Sequence, residues 1–174
     1  MNRRDILKLA ATSAAVPAVG IAQPPAAKPV PSWTPSFFDA HQFQTVTVLA
    51  DLIIPATDTP GAIAAQVDRH IDHLLAASPE DERQAFREGL GWLDGFAIRT
   101  QGHPFVRCAR DRQVSILETL AASDAPDLAP GHRFFELAKG LTAQLFYATE
   151  IGFNELNQGG RVPSTFGCPH PEHP

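Results

Sequence analysis

Several features that would announce an enzyme or a membrane protein are missing from this chain. Beyond its first residues, no stretch approaches the roughly 18 consecutive apolar residues needed to cross a bilayer. No Gly-x-Ser-x-Gly turn is present to hold a nucleophilic serine against a base, and Ser115 and Ser123 have no such context. A Gly-x-Gly-x-x-Gly fingerprint for a dinucleotide or flavin is missing, as is Cys-x-x-Cys-His for covalent haem. No segment alternates polar and apolar residues as a half-buried strand does, and no internal repeat is visible. Positive charge is also short. The formal net charge of −5 argues against nucleic acid and against attraction to an anionic lipid surface.

What is there begins at the N-terminus. Arg3 and Arg4 lie in Asn2-Arg3-Arg4-Asp5-Ile6-Leu7-Lys8, ahead of a modestly apolar, alanine-rich stretch, 9–22. That stretch is interrupted by Pro17 and ends in Gly20-Ile21-Ala22 before Gln23. A basic leader, a weak apolar region and small residues at the −3 and −1 positions make up a twin-arginine export signal, with cleavage expected between Ala22 and Gln23. That route carries proteins already folded, often around a cofactor. The expected location is therefore the periplasm, with any membrane association only indirect.

The rest reads as one all-α domain. Residues 23–36 are a proline-rich linker without a core of its own. Residues 37–156 carry about five helices in a compact bundle, and 157–174 form an irregular Gly/Pro-rich tail. Asp39 and Gln42 predict a capping box, with Phe43, Val46, Ala50 and Ile53 at helical spacing up to Pro55. A second helix is expected from about Ala62 to Ala77, with Ile63, Val67, Ile71 and Leu74 on one face. Ser78-Pro79-Glu80-Asp81 predicts a third start with Ser78 as its cap, and Phe86, Leu90, Leu93 and Ala97 as its inner stripe. Val114, Leu117 and Ala121 are expected inward on a fourth helix. The longest helix is expected after the 123–131 loop, with Phe134, Ala138, Leu141, Leu145 and Ala148 on its inner face.

Candidate chemistry is thin. Cys108 sits between Arg107 and Arg110, which could lower its pKa, although a structural cysteine is the stronger reading. Three fates are open to Cys108 and Cys168: a bridge to each other, a bridge from one of them to another chain, or a buried thiol at Cys108. His70 and His73 lie three apart on a helix, without the spacing of a zinc-protease helix. The tail gathers Cys168, His170, Glu172 and His173, where a disordered or partner-docked tail outweighs a zinc site. Glu150 and Glu155 read as exposed helix-end acids rather than a glycosidase pair. No catalytic, cofactor or metal residues are assigned. A signal for folded cargo thus precedes a domain with no evident site, which fits a subunit that lends its signal to a cofactor-loaded partner. Eleven Phe, two Trp and one Tyr leave aromatics for a contact surface, with Trp33, Phe153 and Phe166 the expected anchors. The competing reading is a free-standing exported binding or metal-binding helical protein that uses the histidine clusters.

Specific stretches then carry a resemblance. They are Phe37-Phe38-Asp39, the run Leu52-Ile53-Ile54-Pro55-Ala56-Thr57-Asp58-Thr59-Pro60-Gly61-Ala62, and Val67-Asp68-Arg69-His70-Ile71-Asp72. Phe134-Phe135-Glu136-Leu137, Tyr147-Ala148-Thr149-Glu150-Ile151-Gly152 and Phe166-Gly167-Cys168-Pro169 complete it. From Phe37 to Pro169 the chain resembles the gluconate 2-dehydrogenase subunit 3 family. The resemblance implies a helical, non-catalytic small subunit bound to a large flavoprotein of the glucose-methanol-choline oxidoreductase type, often completed by a cytochrome c subunit. FAD would be held by that partner and not by this chain, and Cys168 would be a candidate covalent tie to it. Pro55, Pro60 and Gly61 would stiffen the loop after the first helix, with Asp58 able to cap or turn it.

Overall fold

The computed structural model describes residues 33–123 and 125–157. From Thr34 onward these form one compact unit of α-helices. In order they are α1 (Ala40–Ile53), α2 (Val67–Ala77), α3 (Glu80–Gln101), a short 3-10 turn (Phe105–Arg107), α4 (Arg110–Ala122), α5 (Ala129–Tyr147) and α6 (Glu150–Asn157). No strand occurs among the described residues, as the lack of alternation led one to expect. Arg3, Arg4, Ala22, Gln23, Phe166 and Cys168 lie outside the described residues.

Each helix starts and stops for local reasons. The Asp39 side chain accepts from the Gln42 N–H at 2.8 Å, while the Gln42 side chain accepts from the Asp39 N–H at 3.2 Å. This reciprocal box satisfies amides that the first turn leaves without partners. On α3 the expected stripe holds, with Phe86, Leu90, Leu93 and Ala97 all buried. Phe38, Phe86 and Phe134 then pack in series through the core, the first pair tilted and the second edge to face, at centroid separations of 5.7 and 5.3 Å. Helix α5 packs on α2, α3 and α4 and is the centre of the bundle.

Several expectations are corrected. The second helix begins at Val67, because Gln66 adopts φ 55° and breaks the coil of 62–66. Ile63 and Leu74 consequently lie on the surface rather than inward. Ser78 does not cap α3 with its side chain; its N–H instead closes the end of α2 on the Leu75 carbonyl at 3.2 Å. Helix α4 is turned by about one residue. Ile116 and Leu120 join Leu117 in the core, while Val114 and Ala121 face outward. The longest helix is α3, and past α5, where Ala148 is exposed, the chain forms a further helix, α6.

The loop after α1 is locked by backbone approach. The Ala62 N–H donates to the Ile54 carbonyl at 2.9 Å and closes the loop on itself. A Cβ on Gly61 would fall 2.5 Å from the Ala56 nitrogen and 2.6 Å from the Ile54 oxygen, and neither backbone atom can step aside cheaply. Only glycine fits. Gly61→Ala in the full chain should therefore cost roughly 2 kcal/mol or more and lower the melting temperature by about 4–8 °C. A melt within about one degree of the parent would show that the loop yields freely.

Candidate partner-docking surface

Two tethers hold the ends of the domain. The first is a carboxylate, Asp72, fully buried on α2. Its Oδ2 accepts from the Ser36 N–H at 2.7 Å and the Ser36 hydroxyl at 2.8 Å. Its Oδ1 accepts from the N–H groups of Phe37 and Phe38, both at 3.0 Å. Burial alone would raise this carboxyl. The converging donors of Ser36, Phe38 and Phe37 outweigh it and hold the group below the usual carboxylate range. Phe37 is covered on its outer side by the Arg87 and Arg83 guanidiniums, 4.3 and 5.3 Å from its ring centre. Residues 36–38, just ahead of α1, are thus seated by charge, backbone and aromatic contacts together.

The second tether lies at the other end of the sequence. Helix α6 folds back onto the end of α5, so closely that a Cβ on Gly152 would fall 2.1 Å from the Phe146 oxygen. From α6 the Glu155 Oε1 accepts the Thr59 hydroxyl at 2.8 Å, joining residues 96 apart in sequence. The Gly61 loop and α6 thereby become two walls of one groove, lined by Thr59, Pro60, Ile151, Asn154 and Glu155. Asp58 is exposed in this loop. Glu150 is exposed as expected, whereas Glu155 is half-buried and structurally engaged.

Of the expected anchors, Trp33 is half-buried and Phe153 is 50% exposed. Leu156, which composition did not single out, is 66% exposed on the same helix as Phe153. The outward side of α4 is also open. Exposed Val114 and Ala121, above buried Leu117, line a shallow apolar groove with Leu52, Ile53 and Phe135.

Cys108 lies at the foot of α4, where its Sγ approaches the Pro104 and His103 carbonyls at 3.5 and 3.6 Å. Burial and the nearby Asp94 charge push its thiol up, opposite to what the flanking arginines alone would do. Asp94 is itself structural. It accepts the Phe105 N–H at 2.9 Å and contacts His41 Nε2 at 2.5 Å, tying α1, α3 and the 3-10 turn together. His70 and His73 are both exposed on α2. Among the described residues no three His, Cys, Asp or Glu side chains are grouped to hold a metal. Also among them, no helix is long and apolar enough to cross a membrane.

The arrangement is one of surfaces and tethers: residues 36–38 anchored on α2, a stiff loop, and a folded-back helix with apolar side chains facing out. A family model described as gluconate 2-dehydrogenase subunit 3 matches residues 40–160, from the start of α1 to just past α6. No curated protein and no solved structure matches the chain.

Proposed function

Because the chain belongs to the gluconate 2-dehydrogenase subunit 3 family, we propose that it is the non-catalytic small subunit of a periplasmic FAD-dependent sugar or alcohol dehydrogenase. It escorts a flavoprotein of the glucose-methanol-choline oxidoreductase type through twin-arginine export and stabilises it afterwards. The observation that carries this reading is the family match over all six helices, joined to the Arg3-Arg4 leader ahead of them. The geometry is in keeping with it. The best-satisfied buried polar groups bind backbone: Asp72 holds 36–38, and the Gln113 side chain donates to the Phe105 carbonyl at 2.9 Å. Such groups build a rigid scaffold, and a rigid scaffold presents a surface at low entropic cost. FAD, substrate specificity and the exit of electrons, through a cytochrome c subunit where one completes the complex, belong to other chains.

Purification of the tagged full chain from its own cells tests this. A second, larger chain carrying flavin absorbance should co-elute in fixed stoichiometry and reduce an electron-accepting dye with a sugar or polyol. If the chain elutes alone from periplasm that retains such dehydrogenase activity, the reading fails.

A further inference from the structure

Charge is distributed unevenly over this molecule. Its total is −5, yet residues 99–112 hold four arginines, Arg99, Arg107, Arg110 and Arg112, against a single acid, Asp111. With His103 neutral, that stretch carries a formal +3. It forms the end of the bundle where α3 passes through the 3-10 turn into α4. The opposite end of α3 begins with Glu80, Asp81 and Glu82. A helix of 22 residues is about 33 Å long, so the two charges stay well apart and the molecule is electrically polar along that axis.

Most of these arginines are not spent on the fold. Arg107 and Arg112 are exposed. Among the described residues Arg107 pairs with no acid, and Arg112 only approaches its exposed neighbour Asp111, at 3.8 Å. A pair so open to water contributes little. Arg99 is also exposed and meets no carboxylate among the described residues. Its guanidinium lies 6.0 Å from the centre of the Phe96 ring, itself stacked on Trp92. Only Arg110 is engaged, with Asp51 of α1 at 2.6 Å. Nineteen Asp and Glu stand against fourteen Lys and Arg, so the others are left open by placement and not by want of acids. Their complement is a negative surface on another molecule.

We propose that this face, through Arg99, Arg107 and Arg112, receives an acidic patch of the flavoprotein partner. The inference rests on the partner reading above and adds to it the face that is used and the charge of what is received. Guanidiniums suit the task, since each can hold a carboxylate with two parallel N–H donors, and arginine is enriched at interface centres. Arg99 is already held against Phe96 before a partner arrives, which leaves it less freedom to lose. The acids elsewhere give the encounter a direction, because they repel an acidic patch that approaches the wrong end. A long polyanion, whether nucleic acid or a sheet of anionic lipid, is a poorer fit. It would extend past the arginines and meet those acids.

The test compares two double reversals in the full-length tagged chain co-produced with the flavoprotein. Arg107→Glu with Arg112→Glu should reduce co-purified flavin by about tenfold or more, since acid then faces acid across the contact. Arg133→Glu with Lys139→Glu makes the same change in net charge on exposed positions of α5 and should leave it unchanged. A conservative variant gives a second readout that needs no loss of binding. Arg107→Lys with Arg112→Lys keeps the charge and introduces amines that a carbodiimide joins directly to carboxylates. New crosslinks should run from position 107 or 112 to Asp or Glu of the flavoprotein. Equal flavin with both reversals, or equal loss with both, overturns the proposal while leaving the partnership intact. So does a new crosslink only to this chain's own carboxylates or to a second copy, or none in a complex that still carries flavin. Binding of the purified chain to vesicles of anionic phospholipid, abolished by the first reversal, would overturn it in favour of lipid. If the unsubstituted chain brings down no flavoprotein, the partner reading itself has failed, and the docking face fails with it.

Discussion

Replacing Arg3 and Arg4 together by lysine is expected to leave nearly all of the flavoprotein in the cytoplasm, folded and loaded with FAD. The substitution keeps both positive charges, so a receptor that reads only charge would not notice it. What it removes is the planar guanidinium, whose donors form a rigid fork that an ammonium cannot reproduce. The escort account therefore predicts that two chains are retained by changing one, although the retained flavoprotein is itself unaltered. Fractionation followed by dye-linked dehydrogenase activity reads this out: activity should move from periplasm to cytoplasm with little change in total. Normal periplasmic activity with the lysine variant, or with this chain deleted, would show that the flavoprotein travels by its own means.

The second large effect is expected at Asp72. Asp72→Ala deletes the acceptor of four hydrogen bonds and leaves the N–H groups of Phe37 and Phe38 buried without partners. Stranding buried donors in this way costs about 3–5 kcal/mol. The loss should appear as a drop in melting temperature of about 6–20 °C and as faster proteolysis ahead of α1. Acid should act in the same direction. Since the folded-state pKa of Asp72 lies below its unfolded value near 3.9, its contribution is complete above that value and disappears as pH falls through the folded pKa. Asp72→Asn fills the same space but cannot ionise, so it should be less stable at neutral pH and lose less of its remaining stability between about pH 5 and pH 2. Parallel acid limbs for parent and Asp72→Asn would place the titrating group elsewhere.

How much of this could be read from the chain differs by element. The capping box of α1 was legible because its two residues are three apart and act only on each other. The inner face of α3 was legible because a single strong stripe, Phe86 to Ala97, has no rival on that helix. On α4 two apolar rows compete. Val114-Leu117-Ala121 and Ile116-Leu117-Leu120 both recur at helical spacing, and only the packing on α5 chooses between them. The late start of α2 was hidden because a left-handed backbone at glutamine has no composition signal.

The tethers were the least legible part. Asp72 finds its partners 34 to 36 residues away, and they are mostly backbone amides, which every sequence contains. Glu155 reaches Thr59 across 96 residues, so an acid that looked like a solvated helix end became the wall of a groove. Gly61 stood out inside the Pro-Gly run, but its reason, contact with the backbone at Ile54 and Ala56, needed coordinates.

The division of labour between the two chains is tested most directly by separating them. After mild dissociation of the purified complex, flavin content and dye reduction are measured on each chain alone and on the recombined pair. The account predicts that flavin and turnover stay with the larger chain, that this chain has neither, and that recombination slows loss of the larger chain's activity on warming. Stoichiometric flavin or substrate turnover in this chain by itself would contradict it.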